Sequence, residues 1–301
     1  MFTGKLDELK QFFALCLFLG NSNLSTCNDR GLRQQCTDGV PARPPNSVAG
    51  FYYKDDWHSL VCNNRHFRAH CKVPKSLTML TRVRDCLRNH SLHFWGDSTL
   101  RQWYEYFADV MNGTLEEHKA ENVKFGPHEA VDKTNDIRFS YRHHGFPIRN
   151  GCTLVKDIHY VPNMIDEIKS GGNDIILLTL WAHFIPNDLE YYRQRWKAIR
   201  DAIVRLRSRN PDARVIIKSA NTREPHLDCN SLYFHCSNWY AGELDRVMRE
   251  MMTGVEPVTI IDTWDMTIGH RTGFRIHPKR EIISQEVDML LSFLCPSLGF
   301  G

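Results

Sequence analysis

Leu92-His93-Phe94-Trp95-Gly96-Asp97-Ser98-Thr99-Leu100-Arg101-Gln102-Trp103 changes character at a single glycine. Before Gly96 the run is short and apolar, as in a buried strand. After it, the stretch from Thr99 to Met111 reads as a helix. Gly96 permits a tight backbone approach at the junction. Asp97 and Ser98 are both residue types that cap helices.

The same alternation continues on either side. Ile137 to Tyr141 reads as a strand, and the near-continuous apolar run Asp174 to Leu180 suits a strand buried on both faces. From Asp188 to about Ser208, Leu189, Tyr192, Trp196, Ile199, Ile203 and Leu206 recur at helical spacing. Asn210-Pro211-Asp212 ends that helix, and Arg214 to Lys218 restarts as a strand. A helix over Ala241–Met252, a strand over Val258–Asp262 and a last helix from about Arg280 to Leu294 complete the series. Strands alternating with helices of this length predict an α/β fold, a three-layer α/β/α sandwich on a mostly parallel sheet. In such sheets sites gather at the carboxyl ends of strands.

That rule selects the polar residues that matter. A serine at the start of a helix has backbone N–H groups beside it to stabilise an oxyanion. It also needs a base, and a histidine titrates near neutral pH. His277, followed by Pro278, lies in the loop before the last helix, at the same sheet edge if the last strand is parallel; His270 is a rival in that loop. The competing reading is that Asp97 or Ser98 only caps the helix. Arg193, Arg195, Lys197, Arg200, Arg205 and Arg207 lie mostly off the apolar stripe of their helix, which reads as a solvated face or, alternatively, as a surface for an acidic glycan.

Composition narrows the classes. The chain has 301 residues, 42% of them hydrophobic, enough for one large domain, and a net charge of +3 with scattered basic residues argues for no nucleic-acid partner. Ten cysteines are many for a cytosolic enzyme; Cys27/Cys36, Cys62/Cys71/Cys86 and Cys229/Cys236 cluster, while Cys152 and Cys295 stand alone. With no C-x-x-C pair and no finger-like spacing, disulfides in an oxidising compartment are expected and a metal site is not. Sequons at Asn23, Asn89 and Asn112 agree with passage through the secretory pathway. Asn89 adjoins a predicted strand, which makes Asn112 the better acceptor. Residues 1–25 read as a signal peptide or a truncated amino-terminal segment: Phe12–Gly20 is apolar but far too short to span a bilayer, and a packed apolar helix is the alternative. Membrane association beyond that segment is not expected. Residues 26–56, with Pro41, Pro44, Pro45, Gly39 and Gly50, read as a linker, and 57–301 as the main domain.

The run from His93 to Trp103, with Tyr53-Lys54-Asp55-Asp56-Trp57, Cys62, Ile260-Ile261-Asp262-Thr263-Trp264-Asp265 and His277-Pro278, resembles the PC-esterase domain of the neurexophilin and PC-esterase (NXPE) family over roughly residues 48–296. The wider group includes polysaccharide and sialic acid O-acetyltransferases with a Gly-Asp-Ser-x-x-Arg signature, here Gly96-Asp97-Ser98 and Arg101. The resemblance implies an SGNH-hydrolase-like fold and a covalent acyl-Ser98 intermediate, with His277 moving the proton. It also implies a glycan or glycoprotein substrate, sialic acid being the best guess, no bound cofactor, acetyl-CoA as acyl donor, and a Golgi or secreted location. Hydrolysis of O-acetyl groups at the same site, or a binding-only protein without activity, are the alternatives. Arg101 would bind an anion or support the oxyanion, or simply pair with an acid.

Two departures from that pattern stand out. Where the group has an aspartate three residues before its histidine, this chain has Phe274, so Asp265 or Asp262 must orient His277, or a backbone carbonyl does. Where SGNH proteins place an oxyanion asparagine after the central strand, this chain has Trp181-Ala182-His183. His183, its backbone, or Asn221 at the end of the next strand are the candidate donors, against aromatic packing for the first and capping for the last. The family's amino-terminal β domain is expected to be absent.

Overall fold

The computed structural model describes residues 50–53, 55–59, 77–111, 115–119, 124–147, 154–155, 158–223, 237–255, 258–270 and 275–295. The readings of residues 1–25, of the sequons at Asn23 and Asn112, of Phe274 and of the cysteines other than Cys86 and Cys295 lie outside them. So does most of the expected linker.

A hairpin of β1 (Gly50–Tyr53) and β2 (Asp56–Ser59) comes first. Residues 50–53, in the last part of the expected linker, are paired with 56–59. Asp55 turns the hairpin with φ +65, a left-handed conformation that aspartate tolerates. The Tyr52 hydroxyl donates to Met266 O, and Trp57 packs on Met266. Then follow α1 (Leu77–Leu87), β3 (Ser91–Gly96), α2 (Ser98–Val110), β4 (Glu116–Lys119), β5 (His128–Asp132), β6 (Ile137–His143), α3 (Val161–Glu167) and β7 (Asp174–Thr179). The chain continues through α4 (Trp181–Phe184), α5 (Leu189–Arg209), β8 (Arg214–Lys218), α6 (Asn238–Met252), β9 (Val258–Ile261), α7 (Trp264–Ile268) and α8 (Arg280–Leu294).

Seven strands form one sheet in the order β4-β5-β6-β3-β7-β8-β9. The five from β6 to β9 run parallel, and β5 and β4 add an antiparallel edge. Counted along the chain, the parallel strands have the doubly wound order 2-1-3-4-5, so β3 is where the winding reverses. The crevice for a ligand therefore belongs at the carboxyl end of β3.

Alternation along the strands builds two cores. Ile175, Leu177 and Ile216 pack with residues of α1, α2 and α8 on one face. Ile176, Leu178, Val215 and Ile217 pack with α3, α5 and α6 on the other. The three-layer α/β/α sandwich follows, each fully buried large apolar side chain contributing about 1.5–3 kcal/mol. In α5 the Asp188 carboxylate accepts from Tyr191 N at 2.7 Å, and Tyr192, Trp196, Ile199, Ile203 and Leu206 are buried. Its basic face is largely engaged within the chain: Arg193 with Glu250, Lys197 with Asp201, Arg205 with Asp166. The solvated-face reading fits this better than a glycan surface.

Cys86 in α1 is bonded to Cys295 just past α8, with Cα atoms 5.8 Å apart and a sequence separation of 209. Grouping cysteines by spacing had set these two apart. Replacing both with serine is expected to cost about 2–4 kcal/mol, because so long a loop is costly to close. Denaturant unfolding checks this, and a change below about 1 kcal/mol contradicts it.

Candidate active site

β3 ends at Gly96, where an added Cβ would fall inside contact distance of the Thr179 carbonyl oxygen. Glycine is required because β3 and β7 approach closely there, and Asp97 N donates to the same Thr179 O at 3.1 Å. Asp97 is fully buried. Its Oδ1 accepts from Thr99 N at 2.8 Å and from the Thr99 hydroxyl at 2.7 Å, while Oδ2 accepts from Ala182 N at 2.9 Å. One carboxylate thus caps α2 and ties it to α4, which follows β7. Capping belongs to Asp97, which leaves Ser98 for other work.

The Ser98 Oγ lies 2.7 Å from His277 Nε2, across 179 residues of sequence. Thr99 N is taken by the Asp97 side chain, and Leu100 N and Arg101 N donate to Asp97 O. Among the described residues, Ser98 N–H is the donor of the first turn of α2 left without an acceptor. It is placed to meet negative charge developing beside Oγ.

His277 is exposed at the rim. Desolvation by the surrounding protein lowers its pKa from the ordinary imidazole value; Asp97 and Glu105 act upward, and Arg101 and Arg223 downward. The ring is therefore neutral at pH 7 and able to accept the serine proton. If it is the base, kcat/KM is expected to stay flat through neutral pH and fall only below about 6.5. Arg101→Ala should move that inflection upward. A pH–rate profile with its inflection at or above the ordinary value contradicts this.

The expected orienting carboxylates are elsewhere. Asp262 accepts from Arg249 Nη2 at 3.1 Å and from Trp264 N at 3.2 Å, so it caps α7 and pairs with α6. Asp265 is buried in the first turn of α7. Among the described residues, neither bonds His277. The loop is held by its backbone instead. Asn221 Nδ2 donates to Ile276 O at 3.2 Å and Arg275 O at 3.5 Å, and Asn221 Oδ1 accepts from Lys218 Nζ at 3.0 Å. Asn221 is thus a strut for the histidine loop rather than an oxyanion donor. Gln102 Nε2 adds a bond to Pro278 O at 3.0 Å. Both struts escaped sequence reading because they span 54 to 176 residues of chain.

Arg101 pairs with Glu105 at 3.0 Å, one turn along α2, while remaining close enough to His277 to depress it. His270, the rival base, stacks edge-on against Tyr52 at 4.7 Å and is buried. His183 Nδ1 lies 2.9 Å from His143 Nε2 and 3.2 Å from His144 Nε2. Burial and neighbouring positive charge push His143 down to about 3 and His144 well below its ordinary range. No C-x-x-C pair or finger-like His/Cys spacing marks this cluster in the sequence. Asn89 is exposed in a left-handed turn between α1 and β3.

The family model for the C-terminal domain of NXPE family member 4-like proteins matches residues 57–295. This chain belongs to the NXPE family. The match encloses Ser98, Asn221 and His277, so the NXPE domain holds the whole dyad. Among solved structures, the NXPE chain is similar to a candidate platelet activating factor from Streptococcus pneumonia, with TM-score 0.43, 12% identity and coverage of 74% of this chain and 94% of that one. It is also similar to a candidate GDSL-like lipase from Parabacteroides merdae, with TM-score 0.40, 8% identity and coverage of 69% and 96%. An active-site mutant of a family two carbohydrate esterase from Clostridium thermocellum aligns with TM-score 0.33, 12% identity and coverage of 69% and 63%.

Proposed function

We propose that this NXPE domain transfers an acetyl group from acetyl-CoA, through Ser98, to a hydroxyl of a glycan, with sialic acid the favoured acceptor. The observation that supports it most is the 2.7 Å contact between Ser98 Oγ and a neutral His277 Nε2 beside an uncommitted N–H. In the first step His277 takes the Ser98 proton, Oγ attacks the thioester carbonyl, and Ser98 N–H donates to the oxyanion. The CoA thiolate leaves, taking that proton from the imidazolium. In the second step the sugar hydroxyl gives its proton to His277, attacks acetyl-Ser98 and leaves as the ester, restoring Ser98–OH.

Transfer is favoured by the Gly96-Asp97-Ser98-x-x-Arg101 signature shared with glycan O-acetyltransferases. A secretory-pathway location, Golgi or beyond, is supported by the Cys86–Cys295 bond, since disulfides persist in oxidising compartments. Hydrolysis uses the same dyad, with water in place of the sugar, and the exposure of His277 favours keeping it as a second reading. Sialoglycans incubated with the protein decide between them. Acetyl gain that requires acetyl-CoA supports transfer; acetyl loss without it supports the esterase. Neither change, with intact folding, rejects both in favour of a binding protein.

A further inference from the structure

The geometry points to a zinc site formed by His143, His144 and His183, three imidazole nitrogens with a fourth position open. The donor atoms His143 Nε2, His144 Nε2 and His183 Nδ1 all lie within 4.8 Å of one another. Two of the separations are 2.9 and 3.2 Å. Tetrahedral zinc with Zn–N bonds of about 2.0–2.1 Å holds its nitrogens about 3.3 Å apart, which the two contacts of His183 nearly match.

Hydrogen bonding alone does not satisfy this cluster. A neutral ring nitrogen has either one proton or one lone pair, directed in the ring plane. His183 Nδ1 faces two nitrogens with a single in-plane proton or lone pair to share between them, so at most one of the two contacts is a well-directed hydrogen bond. The Nδ1 atom of His143 is buried without a hydrogen-bond partner, so nothing there fixes its tautomer. A cation that takes a lone pair from each of the three donors satisfies all of them and places the protons of His143 and His144 on Nδ1; those two rings, stacked at 4.2 Å, turn apart to reach it. All-nitrogen donors suit zinc better than magnesium or calcium, which take oxygen.

The cluster shares the sheet edge with Ser98. His143 is the register partner of Gly96, and His183 follows Ala182, whose N–H is held by Asp97. Phe125 and Phe184 pack against its rings, at 4.8 Å from His143 and 5.5 Å from His144. Three protein ligands leave the fourth position to water or substrate, the pattern of catalytic rather than structural zinc. Arg101 and Arg195 lie within electrostatic reach of His143 and His144, which favours an anionic group there.

The site stands apart from the acyl-transfer reading, and Ser98→Ala protein should bind zinc as the parent does. The test titrates zinc into chelator-treated full chain against a fluorescent zinc indicator, then repeats it with cobalt(II) as a spectroscopic stand-in. Expected are one zinc per chain, the intense visible bands of tetrahedral cobalt without thiolate charge transfer, and about 100-fold or more weaker binding in His183→Gln. If His183→Gln does not fold by circular dichroism, His144→Gln and the cobalt spectrum of the parent protein decide. No binding to the parent, a thiolate spectrum, or equal affinity in a folded histidine variant would each overturn the site.

Discussion

Ser98→Ala is expected to lower acyl transfer by about 10⁴-fold or more while leaving the melting temperature almost unchanged. The rate loss follows from removing the nucleophile of a two-step reaction, where no other group supplies the covalent route. The unchanged stability follows from the division of labour at the head of α2. Asp97, not Ser98, makes the capping bonds to Thr99 and the tie to Ala182, and Ser98 is only partly buried. A variant that loses activity and stability together would instead mean that Ser98 serves the fold. Activity within about tenfold of the parent would remove the serine from the chemistry altogether.

The second large effect lies in the core behind His277. Lys218 is buried on β8, with Nζ donating to Asn221 Oδ1 at 3.0 Å and Thr263 Oγ1 at 3.3 Å and facing Glu286 Oε2 at 3.7 Å. Trp103 Nε1 donates to the same Glu286 oxygen at 2.6 Å. Burial raises the Glu286 pKa, and the Lys218 charge opposes that. Lys218→Met therefore strands a buried carboxyl and is expected to cost about 3–5 kcal/mol. It also removes the donor that anchors Asn221, and through it Ile276 O and the histidine loop, so kcat should fall with little change in KM. The double variant Lys218→Met/Glu286→Gln separates the two effects. Chemical denaturation should show much of the stability restored, while kcat stays low. Recovery of both would show that Lys218 acts on stability alone.

Much of this was legible from local pattern. Asp174–Thr179 is buried on both faces and reads so, because a central parallel strand leaves no side for polar residues. The turn at Gly96 was legible because an apolar strand, a glycine and a capping aspartate meet within three residues. The antiparallel edge was not. Glu116–Lys119 is exposed at every position, so an edge strand there has no apolar period to detect. Helix α3 is seven residues long and contains a proline in its first turn, too little for a 3.6-residue pattern. At the site, the Ser98–His277 pairing was reachable from topology, since both residues follow strands at one sheet edge. The Asn221 strut, the joining of His183 to His143 and His144, and the Cys86–Cys295 bond were not, because each links residues 39 or more positions apart whose local spacing is uninformative. The missing aspartate before His277 was visible as Phe274. The backbone tethers that hold the histidine loop were not, because they leave no mark on the residues they hold.

The most direct measurement of the central claim is mass spectrometry of the intact chain and its peptides after brief exposure to acetyl-CoA and acid quench. Expected is a gain of one acetyl group, mapped to the peptide bearing Ser98, labile to hydroxylamine and absent from Ser98→Ala. It should build up further in His277→Ala only if the second step suffers more than the first. Acetyl transfer to glycans with no acetyl ester on Ser98 under any quench, or an ester that persists in Ser98→Ala, would contradict the proposal that Ser98 is the nucleophile.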